Sequence, residues 1–146
     1  MNLWTGIRQI LGIEAPLPTG AWGERAAAEW LERERGFRIV ARNWRSPGDR
    51  RDELDLVAMD GAVLVFLEVK TRSAQALVSG YHAINRRKRS VLKRACDAYL
   101  RSLRPSERPS HFRFDVVEVT AGNGGLRTAT ISHFENVPLF RRYYRR

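Results

Sequence analysis

Two short acidic segments in the middle of the chain carry the residues whose types could do chemistry. Glu68 and Lys70 follow the apolar run at 63–67, and Glu53 and Asp55 lie in an apolar stretch just before it. An apolar run at both parities is typical of a central strand covered on both sides, so its charged end is expected to lie at a site. Asp55 and Glu68 would offer hard oxygen ligands to a divalent cation, and Lys70 an ammonium group beside them. These groups are the minimum for hydrolysing a phosphodiester with Mg²⁺.

The spacing of these residues along the chain determines which of them can lie close together. Glu68 and Lys70 share one face of a strand, about 6.6 Å apart, and Glu53 and Asp55 share a parity for the same reason. The Asp60-Gly61 pair between the two segments predicts a hairpin. We expect the two acidic ends to separate along that hairpin unless the strands diverge, so a common site is a hypothesis.

Each of these acids also has a plainer interpretation. Glu68 and Lys70 could form an ordinary surface ion pair, which stabilises a protein little. Glu24 is a third candidate acid, because it lies near the start of a predicted helix on the same stripe as Ala27 and Leu31. An acid in a first helical turn can instead complement the helix dipole. The acidic cluster and the basic character of the chain together favour the metal site.

Several motifs follow one another in order along residues 22–137. They are Gly23-Glu24, Gly36-Phe37, Ala41-Arg42-Asn43-Trp44, Glu53-Leu54-Asp55-Leu56, Phe66-Leu67-Glu68-Val69-Lys70, Lys88 with Tyr99-Leu100, Arg113-Phe114-Asp115, and His133-Phe134-Glu135-Asn136. This order resembles the YraN family of bacterial proteins. The resemblance implies an α/β fold of the PD-(D/E)XK nuclease type, close to archaeal Holliday-junction resolvases: a single domain with a central mixed β-sheet flanked by helices, restriction-endonuclease-like.

The resemblance also implies roles for individual residues. Asp55 and Glu68 match the metal-binding acids, which with the Val69 carbonyl would hold Mg²⁺ or Mn²⁺. Lys70 matches the catalytic lysine, and Glu24 matches a helix carboxylate that would bind a second cation or water. The implied activity is hydrolysis of DNA, with branched DNA as substrate and a homodimer as the assembly. The alternative is a non-catalytic nucleic-acid-binding module that keeps the nuclease fold.

Two positions depart from the family pattern. Asp52 stands where the family usually has glycine, which leaves the local turn open. Arg89 stands where glutamine is common, which leaves open whether the helix after the core contacts the site.

Length and charge narrow the function classes. A chain of 146 residues without a composition break is expected to form one domain. Its net charge of +10 favours a polyanionic partner such as nucleic acid, although acidic substrates and membrane surfaces stay open. The cations expected to follow a phosphate backbone lie in a polar loop, after the acidic motif and in a basic helix: Arg50, Arg51, Arg72, Arg86, Arg87, Lys88 and Arg89. A basic helix face that is merely solvated is the alternative.

Cysteine and histidine usage excludes other chemistry. Cys96 is the single cysteine, so the chain can form neither an internal disulfide nor a multi-cysteine zinc site, and we expect a cytoplasmic protein. His82, His111 and His133 do not have the spacing of a zinc site. The glycines do not form a P-loop, which disfavours ATP hydrolysis.

The two ends are predicted to lie outside the nuclease-like domain at 22–137. Residues 1–21 form an N-terminal extension whose apolar positions at 3–11 have helical spacing. It could be an amphipathic helix docked on the domain or a partner, a disordered tail or a weak membrane contact, but it is too short for stable membrane insertion. The basic tail at 138–146 interleaves arginine and tyrosine, which suits nucleic acid or simple solubilisation equally.

A coarse pass along the chain assigns the remaining elements. Helices are predicted at 22–35 and 84–103, and strands at 37–44, 112–120 and 127–133. The weakly periodic segment at 71–81 is interpreted as mobile and crossing the site, and residues 103–110 as a linker. Asp115 interrupts an apolar strand and is expected to be structural, paired with an arginine.

Overall fold

Helices and strands alternate along the chain in an α/β order. The computed structural model describes residues 20–73, 84–122 and 125–140. Their elements are α1 (Gly20–Arg35), β1 (Arg38–Arg45), β2 (Glu53–Asp60), β3 (Val63–Arg72), α2 (Arg86–Ser102), β4 (His111–Gly122) and β5 (Gly125–Phe134), with a short 3₁₀ helix at Pro105–Glu107.

The five strands form one mixed sheet in the order β1-β2-β3-β4-β5. The pairs β1–β2, β2–β3 and β4–β5 are antiparallel, whereas β3 and β4 are parallel and are separated along the chain by α2. A parallel pair needs a long crossover connection of this kind. The topology confirms the predicted mixed sheet and is consistent with a restriction-endonuclease-like arrangement.

Each helix covers one face of the sheet. The α1-side core contains Ala27, Ala28, Leu31, Phe37, Leu56, Ala58, Val65, Leu67, Val117 and Val119. The α2-side core contains Leu54, Val57, Leu64, Phe66, Ile84, Leu92, Ala95, Cys96, Tyr99, Phe114, Val116 and Val137. The central strand β3 contributes to both cores, as its uninterrupted apolar run predicts.

The boundaries predicted for both helices and for β1, β4 and β5 agree with the structure to within two residues at each end. The Asp60-Gly61 hairpin is confirmed: Asp60 pairs with Val63, and Gly61 adopts a φ of 57°, which glycine tolerates. The predicted linker at 103–110 contains the 3₁₀ helix. Leu139 and Phe140, placed in the basic tail by the sequence, pack against the α2-side core.

One boundary prediction is wrong, and others fall outside the described residues. Thr71 and Arg72, predicted to begin the mobile segment, continue β3, because parallel pairing with β4 holds as far as Arg72 and Thr120. The rest of that segment lies almost entirely outside the described residues. The predicted N-terminal helix, His82 and the tail at 141–146 also lie outside them.

No helix in the described part of the chain is both long and apolar enough to cross a bilayer.

The expectation that Asp115 pairs with an arginine is confirmed. Asp115 is fully buried and accepts hydrogen bonds from Arg113 Nε (3.0 Å) and from the Asn136 backbone N–H (2.9 Å). His133 Nε2 lies 2.8 Å from its other oxygen. Arg113 also contacts Asp60 at the β2–β3 turn (2.9 Å). This network ties the hairpin, β4, β5 and the following segment together beside Leu67, the β3 residue with which Asp115 pairs.

Close approach of α1 to the end of β3 requires glycine at position 23. A Cβ at Gly23 would lie 1.8 Å from Thr71 Oγ1 and 3.1 Å from Thr71 Cβ. Glycine is otherwise unfavourable inside a helix by about 1 kcal/mol. The contact matters for the site because Glu24 is the next residue, and α1 must lie close to β3 for its carboxylate to reach the acids of the sheet.

Gly23→Ala is expected to lower the free energy of unfolding by about 1–3 kcal/mol, because the methyl group overpacks this contact. Adding Thr71→Ala removes the clashing hydroxyl, so the double variant should recover most of the loss. Gly20→Ala is the matched control, since a Cβ there meets nothing within 4 Å. Urea denaturation measures all three, and equal stabilities for Gly23→Ala and Gly20→Ala would show that the close contact is unimportant.

Candidate functional site

The hairpin register brings Asp55 and Glu68 together. Leu56 pairs with Leu67 in the β2–β3 ladder, so the next positions outward, Asp55 and Glu68, face each other across the two strands. The acidic ends were expected to separate unless the strands diverge, and they meet where the regular ladder ends. Antiparallel pairing joins residues equally far from the turn, and these two acids are equally far from it.

Regular pairing between β2 and β3 ends at that point. The Leu56–Leu67 pair is the last in the ladder, and beyond it the Val69 backbone N–H donates to Asp55 Oδ2 at 2.7 Å. A side-chain carboxylate thus replaces the main-chain acceptor that a continued ladder would supply. The separating strands leave the two carboxylates at the edge of a gap between them.

Glu68 is a buried carboxylate with one oxygen still to be satisfied. The residue is 3% exposed, and its Oε1 accepts from Lys70 Nζ at 2.9 Å. Lys88 Nζ lies 3.2 Å from the same oxygen. Its Oε2 is buried without a hydrogen-bond partner among the described residues. An unpaired buried carboxylate oxygen is costly, so this atom is a candidate for contact with a cation or an ordered water.

Lys88 reaches Glu68 from the first turn of α2. Asn85 caps this helix, its side chain accepting from the Lys88 backbone N–H at 2.9 Å. The sequence placed Lys88 only among cations expected to follow a phosphate backbone. Its contact with Glu68 depends on how α2 docks on the sheet, for which the resemblance at Lys88 gave the only indication.

Burial, and after it the nearby charge of Glu68, raises the pKa of Asp55 from its ordinary value of 3.8 to about 7. The hydrogen bond from Val69 acts the other way, and the charge of Glu24 adds a smaller upward effect. Two carboxylates that share a site cannot both ionise easily. A divalent cation between them would remove that repulsion.

Asp55→Asn is expected to stabilise the metal-free protein at pH 8 by about 1–3 kcal/mol, with less effect at pH 4. The folded protein holds the Asp55 proton up to about pH 7, whereas the unfolded chain loses it near 3.8. Stability from this group is therefore present below pH 4 and lost as the pH rises through 7. Asparagine keeps an acceptor for Val69 without the charge. Urea denaturation in EDTA at both pH values measures the effect, and a pH-independent difference would contradict it.

Glu24 approaches the same acids from α1. Burial raises the pKa of Glu24, a hydrogen bond with the Asn43 side chain opposes that rise, and the charges of Glu53 and Glu68 add to it. Glu53, in turn, pairs with Arg45 at 3.1 Å. The structure thus brings Glu24, Asp55 and Glu68 into one electrostatic environment.

The carboxylates fit a magnesium-type cation, with two protein side chains as the core of the site. Mg²⁺ is commonly held by one or two carboxylates, with waters and substrate phosphates completing its coordination. Asp55 and the unpaired Oε2 of Glu68 match that chemistry. Within residues 20–73, 84–122 and 125–140, no three His, Cys, Asp or Glu side chains are grouped closely enough to hold one ion, so a three-acid centre is not formed there.

The cations predicted to follow nucleic acid occupy different settings. Arg50, Arg86 and Arg87 are exposed, and Arg72 is half-buried at the end of β3. Arg51 pairs with Asp49 at 2.9 Å.

Two further residues explain the departures from the family pattern. Buried Asp52 accepts two hydrogen bonds from Arg94 (2.9 and 3.2 Å), which fixes the loop before β2, and Arg89 donates to the Pro138 carbonyl at 3.0 Å instead of contacting Glu68.

Comparison with known sequences finds a match over the segment that contains these site residues. The profile of uncharacterised protein family UPF0102 matches residues 23–119, which include Glu24, Asp55, Glu68, Lys70 and Lys88. The chain belongs to this family. UPF0102 is the YraN family that the motifs indicated, so that prediction is confirmed.

Curated UPF0102 proteins resemble the chain over most of their lengths. A UPF0102 protein of Beutenbergia cavernae is 43% identical over 121 residues, which cover 81% of this chain and 93% of the relative. One from Symbiobacterium thermophilum is 44% identical over 115 residues, covering 78% and 92%. A third, from Chlorobium phaeobacteroides, is 39% identical over 124 residues, covering 83% and 94%.

Proposed function

We propose that this UPF0102 protein is a metal-dependent endonuclease that hydrolyses phosphodiester bonds of DNA. The observation that carries the proposal is the buried Glu68 carboxylate, which lies opposite Asp55 with one oxygen unpaired and two lysines at the other. A fold gains little from burying such a group for stability alone, because charges removed from water carry a desolvation penalty.

Asp55 and Glu68, with the Val69 carbonyl, would hold Mg²⁺ or Mn²⁺. When bound, the cation would supply a water of lowered pKa and neutralise charge on the phosphate. Lys70 orients or deprotonates the attacking water and stabilises charge on the phosphate. Glu24 would bind a second cation or a water molecule from the α1 side.

Lys88 adds a second ammonium group to this arrangement. It and Lys70 share Glu68 Oε1, at 3.2 and 2.9 Å, so both are near the position that a scissile phosphate would take beside the acids. A cluster of two cations and two acids can neutralise a phosphate and hold a divalent ion together. Among the described residues of α2, Lys88 is the one that contacts the acids of the site.

DNA as the substrate class rests on charge and on family analogy. The net charge of +10 favours a polyanion, and exposed Arg50, Arg86 and Arg87 provide contacts for its backbone. Branched DNA and a dimeric assembly follow from the likeness to junction resolvases, which is an analogy at the level of the fold.

A non-catalytic nucleic-acid-binding module is the second candidate. The observation in its favour is that two lysines already compensate Glu68, which makes a resident cation less necessary for charge balance. In such a module, DNA affinity should fall steeply with salt and depend little on divalent metal.

Measuring binding and cleavage side by side separates the two candidates. Fluorescence anisotropy with labelled DNA in EDTA reports binding, and gel analysis after Mg²⁺ addition reports cleavage. The nuclease proposal predicts that Lys70→Ala keeps most of the binding and loses the cleavage. Tight, salt-dependent binding by the wild type without cleavage in Mg²⁺ or Mn²⁺ would favour the binding module instead.

A further inference from the structure

Asn43 has an unusual backbone conformation for a residue inside a strand. It lies in β1 with a φ of 48°, in the left-handed region that side chains other than glycine rarely adopt. Asparagine tolerates this conformation better than most residues, because its short side chain can form local hydrogen bonds. Strand interiors normally disfavour asparagine. A conformational requirement of the fold is therefore the natural reason for asparagine here.

The register places this unusual residue opposite Asp55. Arg42 pairs with Leu56 and Trp44 with Leu54, so Asn43 and Asp55 lie opposite each other between these two pairs. Leu56 packs in the α1-side core, whereas Leu54 packs in the α2-side core. Residues two apart in a regular strand share a face, so β2 changes face at Asp55.

The change of face is what frees the Asp55 carboxylate. A regular alternation would direct residue 55 into one of the two cores together with its neighbours of the same parity. Instead, its carboxylate accepts the Val69 N–H across the gap between β2 and β3. On the neighbouring strand β1, the residue opposite this change of face is Asn43, whose backbone is in the left-handed conformation.

The side chain of Asn43 makes a second contribution on the α1 side. Its side chain lowers the pKa of the nearby Glu24 carboxylate, which opposes the effect of burial. Both residues line a small cavity of about 190 Å³ between α1 and β1, together with Ala21, Arg25, Arg42 and Leu56. Asn43 is thus connected to Asp55 by its backbone position and to Glu24 by its side chain.

We propose that Asn43 is the positioning residue of the site: its left-handed backbone maintains the strand break at Asp55, and its amide holds the Glu24 carboxylate towards the other acids. The inference rests on the proposed metal-dependent function and extends it to a residue that touches neither cation nor substrate. Glycine at position 43 would keep the backbone conformation and remove only the amide, which makes the two contributions separable.

Calorimetric titration with Mn²⁺, without DNA, tests the proposal on Asn43→Gly, Glu24→Gln and the double variant. Loss of a group that orients a metal-site carboxylate typically weakens metal binding by about tenfold or more. Each single variant should show that loss, and the double variant should lose no more than either, because the amide acts through Glu24. The Asn43→Gly protein should unfold at the same urea concentration as the wild type to within a small shift.

Asn136→Gly is the matched control. Asn136 is the other non-glycine residue with positive φ in the described part of the chain, and its backbone N–H donates to Asp115, which is not one of the acids of the candidate site. Its replacement should leave Mn²⁺ affinity unchanged. If Asn43→Gly proves unstable, Asn43→Asp replaces it, because aspartate tolerates the same backbone conformation and its carboxylate repels Glu24.

The outcomes distinguish this inference from the function on which it rests. Wild-type affinity for Mn²⁺ in Asn43→Gly, with binding lost in Asp55→Asn, would overturn the role of the Asn43 amide and leave the metal centre intact. Additive losses in the double variant would also overturn it, since Asn43 would then act independently of Glu24. Absence of Mn²⁺ binding by the wild type would overturn both proposals.

Discussion

Asp55→Asn is expected to reduce the rate of DNA cleavage by roughly a thousandfold, equivalent to about 4 kcal/mol of transition-state stabilisation. The reason is that asparagine lacks the anionic oxygen needed to hold a divalent cation opposite Glu68. Initial cleavage rates at saturating Mg²⁺ measure the effect.

The same substitution is expected to stabilise the metal-free fold at pH 8, because it removes a carboxylate whose pKa is raised to about 7 by burial and by Glu68. Loss of cleavage therefore cannot be attributed to unfolding. Asp60→Asn is the matched control, since it makes the same chemical change at the far end of β2, where the carboxylate pairs with Arg113. Equal cleavage by Asp55→Asn and Asp60→Asn would remove Asp55 from the catalytic site.

Asp115→Ala is expected to lower the free energy of unfolding by about 3–5 kcal/mol, the usual effect of removing one partner from a buried ion pair. Asp115 is fully buried and is contacted by Arg113, His133 and the backbone N–H of Asn136. Alanine would leave the Arg113 side chain, which is 13% exposed, without its most buried carboxylate partner. Urea denaturation followed by tryptophan fluorescence measures the change.

Asp60→Ala provides the comparison for that effect. Asp60 contacts the same arginine, but its side chain is 40% exposed, so its loss should lower stability by less than about 1 kcal/mol. The contrast isolates burial as the cause, because both variants remove a carboxylate from Arg113. Similar losses for the two variants would contradict the central position given to Asp115.

Sequence periodicity predicts the elements of this fold well because its core strands have clear patterns. The run at 63–67 is apolar at both parities, and β3 is indeed buried between two helices. Asp60-Gly61 predicts the hairpin turn correctly. Asp55 and Glu68 were expected to separate unless the strands diverge, because the expectation did not allow for pairing about the turn, which places them opposite each other where the regular ladder ends.

The contacts that complete the site depend on three-dimensional packing, which local patterns do not contain. Lys88 reaches Glu68 only because α2 docks across the sheet with its first turn near the end of β3. The sequence did contain an indication that Asn43 has an unusual backbone conformation, because asparagine is disfavoured in strands and tolerated in the left-handed conformation. Its partners Asp55 and Glu24 come from a neighbouring strand and a helix, so their identity required the structure.

Cleavage of a labelled panel of single-stranded, duplex and four-way-junction DNA, in Mg²⁺, Mn²⁺ or EDTA, tests the central claim most directly. The wild type is compared with Asp55→Asn at equal concentration. The account predicts cutting of at least one substrate that requires the metal and is lost in the variant. Binding of the panel without cutting under any metal, or cutting that persists in EDTA and in Asp55→Asn, would contradict it.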